Sequence, residues 1–203
     1  MSLTRSSHHI GRGIVIDLGT GDGRFVSVSA RENPETFFIG IDPNTKPLEK
    51  PSMKATRNPR KGGLPNAMFI QAAIEDLPDE LSGVADELHI HFPWGSLLKA
   101  VATGDPAAIA ALRRIMKSGA LLEIVIGIDP IRDRSEIDRL EIPDLTPVFL
   151  HSYLIPKYTS NGFGFLHAET LRSEDWASLP TSWARKLSGN RDRSVVYMTF
   201  TAV

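Results

Sequence analysis

The chain has 203 residues, 41% of them hydrophobic and 23% charged, with a formal charge of −1 and no cysteine. That length and balance describe one globular domain able to bury a core, and exclude a disordered tail or a fibrous repeat. Without cysteine there is no disulfide framework, thiolate nucleophile or thiolate-bound metal, and no metal site is expected. No apolar run approaches the roughly 20 residues of a membrane helix, and the first thirteen residues, MSLTRSSHHIGRG, lack the apolar middle of a secretory signal. A cytoplasmic monomer with no membrane partner is the expectation.

Residues 14–18 (IVIDL) form a β-branched run ending in GTGDG and followed by RFVSVSARENP: a strand, a glycine turn and a helix. FFIGID at 37–42, closed by Pro43, predicts a second strand, AMFIQ at 67–71 a third, residues 88–92 a fourth, and LLEIVIGI at 121–128 a fifth. Between them lie AAIEDLPDELSG and DPAAIAALRRIMKSG, the latter a helix with Asp105 as N-cap and Gly119 as its stop. A polar helix (RDRSEIDRL) then leads to TPVFLHSYLIPKYTSNG, where Pro156 should kink or end a second helix. A strand near 164–170, a linker at 172–193 with a short helix around Trp176 to Leu187, and a last strand SVVYMTF complete the pattern. Strands alternating with helices predict an α/β, Rossmann-like, seven-stranded and mostly parallel sheet with helices on both faces, closed by a hairpin. One domain covers 1–203, with a short extension at 1–13 and a basic insertion at 44–66 between the second and third strands.

The near-zero charge hides segregation. Residues 46–61 hold six bases and one acid, and residues 185–193 four bases and one acid, so these 25 residues carry +8 and the other 178 carry −9. A polyanion-binding face on an acidic body has this distribution, with solvated loops as the competing reading.

Gly19, Gly21 and Gly23 in DLGTGDG permit a tight strand-to-helix turn and close approach of a ligand to the backbone. Such a turn is shared by many nucleoside binders, so its surroundings decide. A pyrophosphate at the helix N-terminus would be repelled by Asp22, whereas an amino acid's ammonium can be held near Asp17. Asp42, about twenty residues on, ends the second strand where a carboxylate can accept from ribose hydroxyls. Glu75, after the third strand, can receive an adenine amino group, with the backbone at Ala73 bordering the ring. Together these suit S-adenosylmethionine (SAM) better than NAD, and the sheet reads as a class I SAM-dependent methyltransferase.

After the fourth strand stands FPWG, without the Asn or Asp that methyltransferases acting on an exocyclic amine place there. A ring nitrogen such as adenine N1 has its own in-plane lone pair and needs positioning more than a general base. Positioning a base means unstacking it and holding it between flat surfaces. Trp94 supplies one, and Trp183, in a linker followed by four bases, the other; Trp176 is read as packing.

In order, IDLGTGDGR, GIDP, KGGLPN, AAIEDLP, FPWGSLL, SNGF and SWARKL...RDRS resemble the aminoglycoside-resistance 16S rRNA methyltransferases that modify N1 of adenine 1408. The resemblance runs from Ile14 to the C-terminus. It implies a SAM-dependent enzyme acting on the 30S ribosomal subunit. Asp17, Asp42, Ala73, Glu75, His91 and Ser96 would line the cofactor, and Thr181 would reach toward it. Trp94 and Trp183 would sandwich the flipped adenine. Lys54, Arg57, Arg60, Lys61, Arg185, Lys186, Arg191 and Arg193 would contact rRNA phosphates. Family members usually carry a longer hairpin than the thirteen residues that precede the first strand here, and an aliphatic residue at the position of His91. Competing readings are a tRNA guanine-N7 methyltransferase, whose signature HFPWGSLLK lacks, and a SAM-binding ribosome-associated protein with weak or no methyl transfer. A small-molecule methyltransferase would leave the basic runs without a role.

Overall fold

The computed structural model describes residues 13–177, 179–187 and 195–203. Seven strands lie in the order β3-β2-β1-β4-β5-β7-β6. They are β1 (Ile14–Leu18), β2 (Phe37–Asp42), β3 (Ala67–Gln71), β4 (Ala85–His91), β5 (Met116–Ile126), β6 (Phe163–Leu171) and β7 (Val195–Ala202). β1 pairs in parallel with both β2 and β4, β3 continues on one side and β5 on the other, and β7 inserts antiparallel between β5 and β6. The predicted parallel sheet with a terminal hairpin is therefore present. Strand order reverses between β1 and β4, the place where open α/β sheets bind ligands beyond their carboxyl ends.

Side chains alternate across β1. Ile16 and Leu18 join the core under α3 (Gly95–Thr103) and α4 (Pro106–Ile115), while Val15 joins Val26 and Ala30 of α1 (Arg24–Glu32) and Ala55 of α2 (Thr45–Ala55) on the other face. A third cluster gathers Val125 and Tyr197 of the sheet with Trp176, Ala184 and Leu187, from α8 (Ser173–Trp176) and α9 (Ser182–Leu187). Trp176 is fully buried, edge-on to Phe92 at 5.8 Å, as its packing role required.

Three expectations change. The α4 helix does begin at Asp105, whose carboxylate accepts from Ala108 N at 2.9 Å, but it ends at Ile115, not at Gly119. Met116 already pairs with Ala85, and the next pair is Glu87 with Leu121, so residues 117–120 bulge from the ladder. Gly119, at φ +80°, lets that bulge rejoin the strand. β4 accordingly starts at Ala85, before the predicted 88, and β5 stops at Ile126. Of the kink or end expected at Pro156, the end is absent: α6 (Pro147–Phe149) passes through a π-helical turn, Leu150–Leu154, into α7 (Ile155–Thr159), whose first turn holds the proline. The first turn tolerates a residue without an N–H donor, and the wider turn accommodates its ring. The basic insertion is mostly helix, α2 plus a 3-10 turn at Pro59–Lys61, and the predicted linker helix is the separate pair α8 and α9. The polar helix predicted at RDRSEIDRL is α5 (Arg134–Leu140).

Candidate active site

Beyond the carboxyl ends of β1, β2 and β4 opens a cleft of ≈ 370 Å³, a size usual for small-molecule sites. Its floor is set by the glycine turn. Gly19 N and Thr20 N both donate to Ile41 O, and Gly21 N donates to Asp42 Oδ2 at 2.9 Å, which ties the turn to β2. Gly21 has φ +56° and nothing within 4 Å of where a Cβ would stand, so the space above it stays open to a ligand. Asp42 also accepts at Oδ1 from Asn44 N (2.9 Å) and Asn44 Nδ2 (3.0 Å). A carboxylate has about four acceptor positions, so one remains, on Oδ2. Asp17, buried at the end of β1, has its pKa raised because burial outweighs the favourable nearness of His91. A cation placed beside it would relieve that cost.

Behind the floor, β4 and β5 build a charged network. Parallel register sets His89 opposite Glu123, and the period of two puts His89 and His91 on one face. Glu123 Oε1 meets His91 Nε2 at 2.7 Å and His89 Nδ1 at 3.1 Å, and Oε2 accepts from Tyr197 Oη at 3.1 Å. The other His89 nitrogen meets Glu87 at 3.0 Å, and Phe25 of α1 covers both imidazoles. Burial opposes charge on His89, but Glu123 and Glu87 outweigh it and push the pKa up to about 10. Burial likewise opposes the charge on Glu123, which His89 and His91 hold well below the usual carboxylate range. The three side chains are of metal-ligand type, yet their facing atoms are matched as hydrogen-bond donors and acceptor.

At the mouth, β4 gives way to Phe92 with φ +50°, a left-handed conformation costly for an aromatic residue and more so before a proline. That turn throws Pro93 and Trp94 off the sheet, and Trp94 then caps α3 in an extended conformation. Trp183, on α9, faces it: the indoles are 15° from parallel with centroids 6.1 Å apart, and each residue is 43% exposed. Lys186 Nζ lies 5.2 Å from the Trp183 ring. α9 is held by Thr181 Oγ1, which accepts from Ala184 N at 2.9 Å, and by Ser182 Oγ, which donates to Asp22 Oδ2 at 2.6 Å.

Of the residues expected at the cofactor, Asp17, Gly19, Gly21, Asp42, His91, Ser96 and Thr181 line this cleft together with both tryptophans. Glu75 lines an adjoining cavity of ≈ 340 Å³ that shares Ser96 with the cleft. Ala73 begins the 3-10 turn Ile74–Asp76 that carries Glu75. Gly23 stands apart from the lining: a Cβ there would meet Phe69 at 2.5 Å, so this glycine serves helix-to-strand packing. Lys186 lines the cleft, Lys54 and Arg185 a neighbouring groove, and Arg57, Arg60 and Lys61 are exposed around the Pro59–Lys61 turn. Arg191 and Arg193 lie outside the described residues.

Residues 3–202 match the family model described as NpmA: 16S rRNA (adenine(1408)-N(1))-methyltransferase. The chain belongs to this family. The 16S rRNA (adenine(1408)-N(1))-methyltransferase of Streptoalloteichus tenebrarius is 37% identical over 180 residues, 89% of this chain and 82% of that one. Among solved structures, the aminoglycoside resistance methyltransferase NpmB1 aligns at a TM-score of 0.84 with 47% identity, covering 95% of this chain and 88% of its own. A tryptophan-to-alanine mutant of the Catenulisporales acidiphilia 16S rRNA (adenine(1408)-N(1))-methyltransferase, solved with cosubstrate SAM, aligns at 0.85 with 33% identity, covering 94% and 86%. The fold is thus that of a class I SAM-dependent methyltransferase.

For an adenine-1408 methyltransferase, sequence reasoning left out several residues that shape this site. Glu123 was signalled by an acid inside an apolar strand run, and His89 by its spacing of two from His91. Phe25 and Leu97 of the cleft lining carry no signal apart from helical periodicity.

Proposed function

We propose that the protein uses SAM to methylate N1 of adenine 1408 in the 16S rRNA of the assembled 30S subunit in the cytoplasm, and that this modification confers aminoglycoside resistance. The observation that carries the reading is the pair of near-parallel, exposed indoles at the mouth of the cleft. A flat ring between two others needs about 7 Å at ordinary aromatic contact distances, so the pair must open by roughly 1 Å from its present spacing to hold a base. Stacking contributes about 1–3 kcal/mol per base, enough to offset much of the cost of flipping it.

SAM supplies a methyl group on a sulfonium centre. Asp17 holds the ammonium of its amino-acid part, and the open position on Asp42 accepts one ribose hydroxyl, the second replacing Asn44 Nδ2. Glu75 receives the adenine amino group, while Ala73 and Ser96 border the ring. His91 and Thr181 close the remaining walls; the Thr181 oxygen accepts from α9 and keeps its own proton to donate. Trp94 and Trp183 fix the target adenine so that the N1 lone pair points at the methyl carbon. The N1 lone pair forms the new bond, the methyl–sulfur bond breaks, and the product ring is cationic, so no side chain takes a proton. Methyl and charge on that edge would block an aminoglycoside's hydrogen bond to the base.

The test is reverse transcription across the decoding region of 30S subunits incubated with protein and SAM, because N1 methylation blocks pairing. A stop beside adenine 1408, lost with Trp94→Ala, is expected. No stop, with SAM binding confirmed separately, would overturn the reading, as would methyl incorporation confined to tRNA.

A further inference from the structure

We propose that a second, basic groove beside the cleft binds the phosphates of the rRNA strand next to the target adenine. This rests on the proposed function and extends it to α1, which none of the basic runs includes. The groove, ≈ 310 Å³, is lined by Arg24 and Arg31 of α1, Lys50 and Lys54 of α2 and Arg185 of α9, with Asp22 as its one acid. Asp22 and Ser182 line both this groove and the cleft, so the two are continuous at the residue next to Trp183.

The charge of the groove is open to a ligand. Asp22 is engaged by Ser182 Oγ at 2.6 Å and by the backbone N of Arg24 at 3.3 Å. Arg24, Arg31, Lys50 and Lys54 make no ion pair among the described residues. Several bases elsewhere on the surface are matched: Lys99 with Glu141, Arg114 with Asp79, Lys117 with Asp86, Arg134 with Asp138 and Arg139 with Glu136. Gathering unpaired cations repels the folded chain against itself unless an anion neutralises them.

The layout suits a chain of phosphates more than a single anion. Arg24 and Arg31 are seven residues apart, two helical turns on one face and about 10 Å along the axis. Lys50 and Lys54 are one turn apart on α2. The span from Arg24 to Arg31 is longer than one phosphate group, so it can meet successive phosphates of a strand. The contacts are with backbone only, so the groove orients the strand without reading its sequence.

The experiment compares the full chain with Arg24→Gln/Arg31→Gln and with Arg31→Gln/Lys50→Gln, the second pair being exposed residues whose loss does not disturb packing. SAM affinity by calorimetry should match the original in both variants. Affinity for labelled 30S subunits, measured between about 50 and 200 mM salt, should fall about 10-fold at the low end. The slope of log K against log salt should flatten by about 1.4, from roughly 0.7 per phosphate contact. Unchanged affinity and slope, in variants that bind SAM while the original methylates 30S, would overturn the groove and leave the proposed function standing. If the original neither binds nor methylates 30S, the proposed function fails, and a fluorescein-labelled single-stranded oligoribonucleotide decides the groove. Weaker, less salt-sensitive binding by the variants upholds it, and equal binding refutes it.

Discussion

At the floor of the cleft Asp42, and behind it Glu123, each engage three hydrogen-bonding atoms on neighbouring strands and turns. At the mouth, Trp94 and Trp183 are each 43% exposed, and α9 is fastened to the glycine turn by the Ser182–Asp22 hydrogen bond. Register fixes the floor before any ligand arrives, whereas the proposed function requires the mouth to open by roughly 1 Å. Under the proposed function the difference separates two tasks: a cofactor of constant shape is met by a preformed surface, and a base that must leave its stack by an adjustable one.

The contrast predicts where damage registers. Glu123→Gln leaves a buried, charged His89 without its main partner and should cost about 3–5 kcal/mol of stability, read by thermal or denaturant unfolding. The pH dependence of the same network follows from its shifts. His89 is raised from 6.5 to about 10, so its contribution is complete below 6.5 and is lost as pH rises toward 10. Glu123 is lowered from 4.5, so its contribution is complete above 4.5 and is lost as the medium becomes more acidic. The stability gap between the original and Glu123→Gln should therefore be widest between pH 4.5 and 6.5 and narrow on either side.

Smaller effects separate the two regions by their readouts. Asp42→Asn places an amide N–H₂ against donors and should weaken SAM binding by about 1.5–3 kcal/mol, as judged by calorimetry. Trp94→Ala should leave SAM affinity within about threefold while reducing turnover on 30S by about 5- to 150-fold, the equivalent of one stacking surface. Trp183→Phe keeps a flat ring and should retain more activity than Trp183→Ala. Ser182→Ala removes the fastening of α9 and should cost about 0.5–1.5 kcal/mol, seen as a modest loss of turnover without loss of SAM binding. An Asp42 variant that lost turnover but not cofactor would erase the distinction between floor and mouth.

The sheet and its glycine turn were legible because buried parallel strands are continuous β-branched runs and the turn must be glycine where φ is positive. Asp17 and Asp42 were legible for the same reason: each stands at the carboxyl end of a strand. The His89–Glu123 contact was not, since it depends on register between β4 and β5 across a bulge whose position no local pattern states. Gly119 misled because left-handed glycines close bulges as well as helices. The basic groove was half legible. Lys54 and Arg185 lie in charge runs, but Arg24 and Arg31 are spread seven apart on α1, where a count along the sequence shows no cluster and only the helix brings them onto one face.

Leu171, the last residue of β6, pairs with Val195, the first of β7, so the intervening segment that carries Trp183 leaves and re-enters the sheet at one point. It is a closed loop hung from a finished ladder. Doubling the length of such a loop costs only about 0.6 kcal/mol in closure entropy, and no strand has to move to admit the change. Under the proposed function, the residues of this segment that neither pack on the sheet, as Trp176, Ala184 and Leu187 do, nor line the cleft, as Thr181 does, can be lengthened or exchanged without moving a strand.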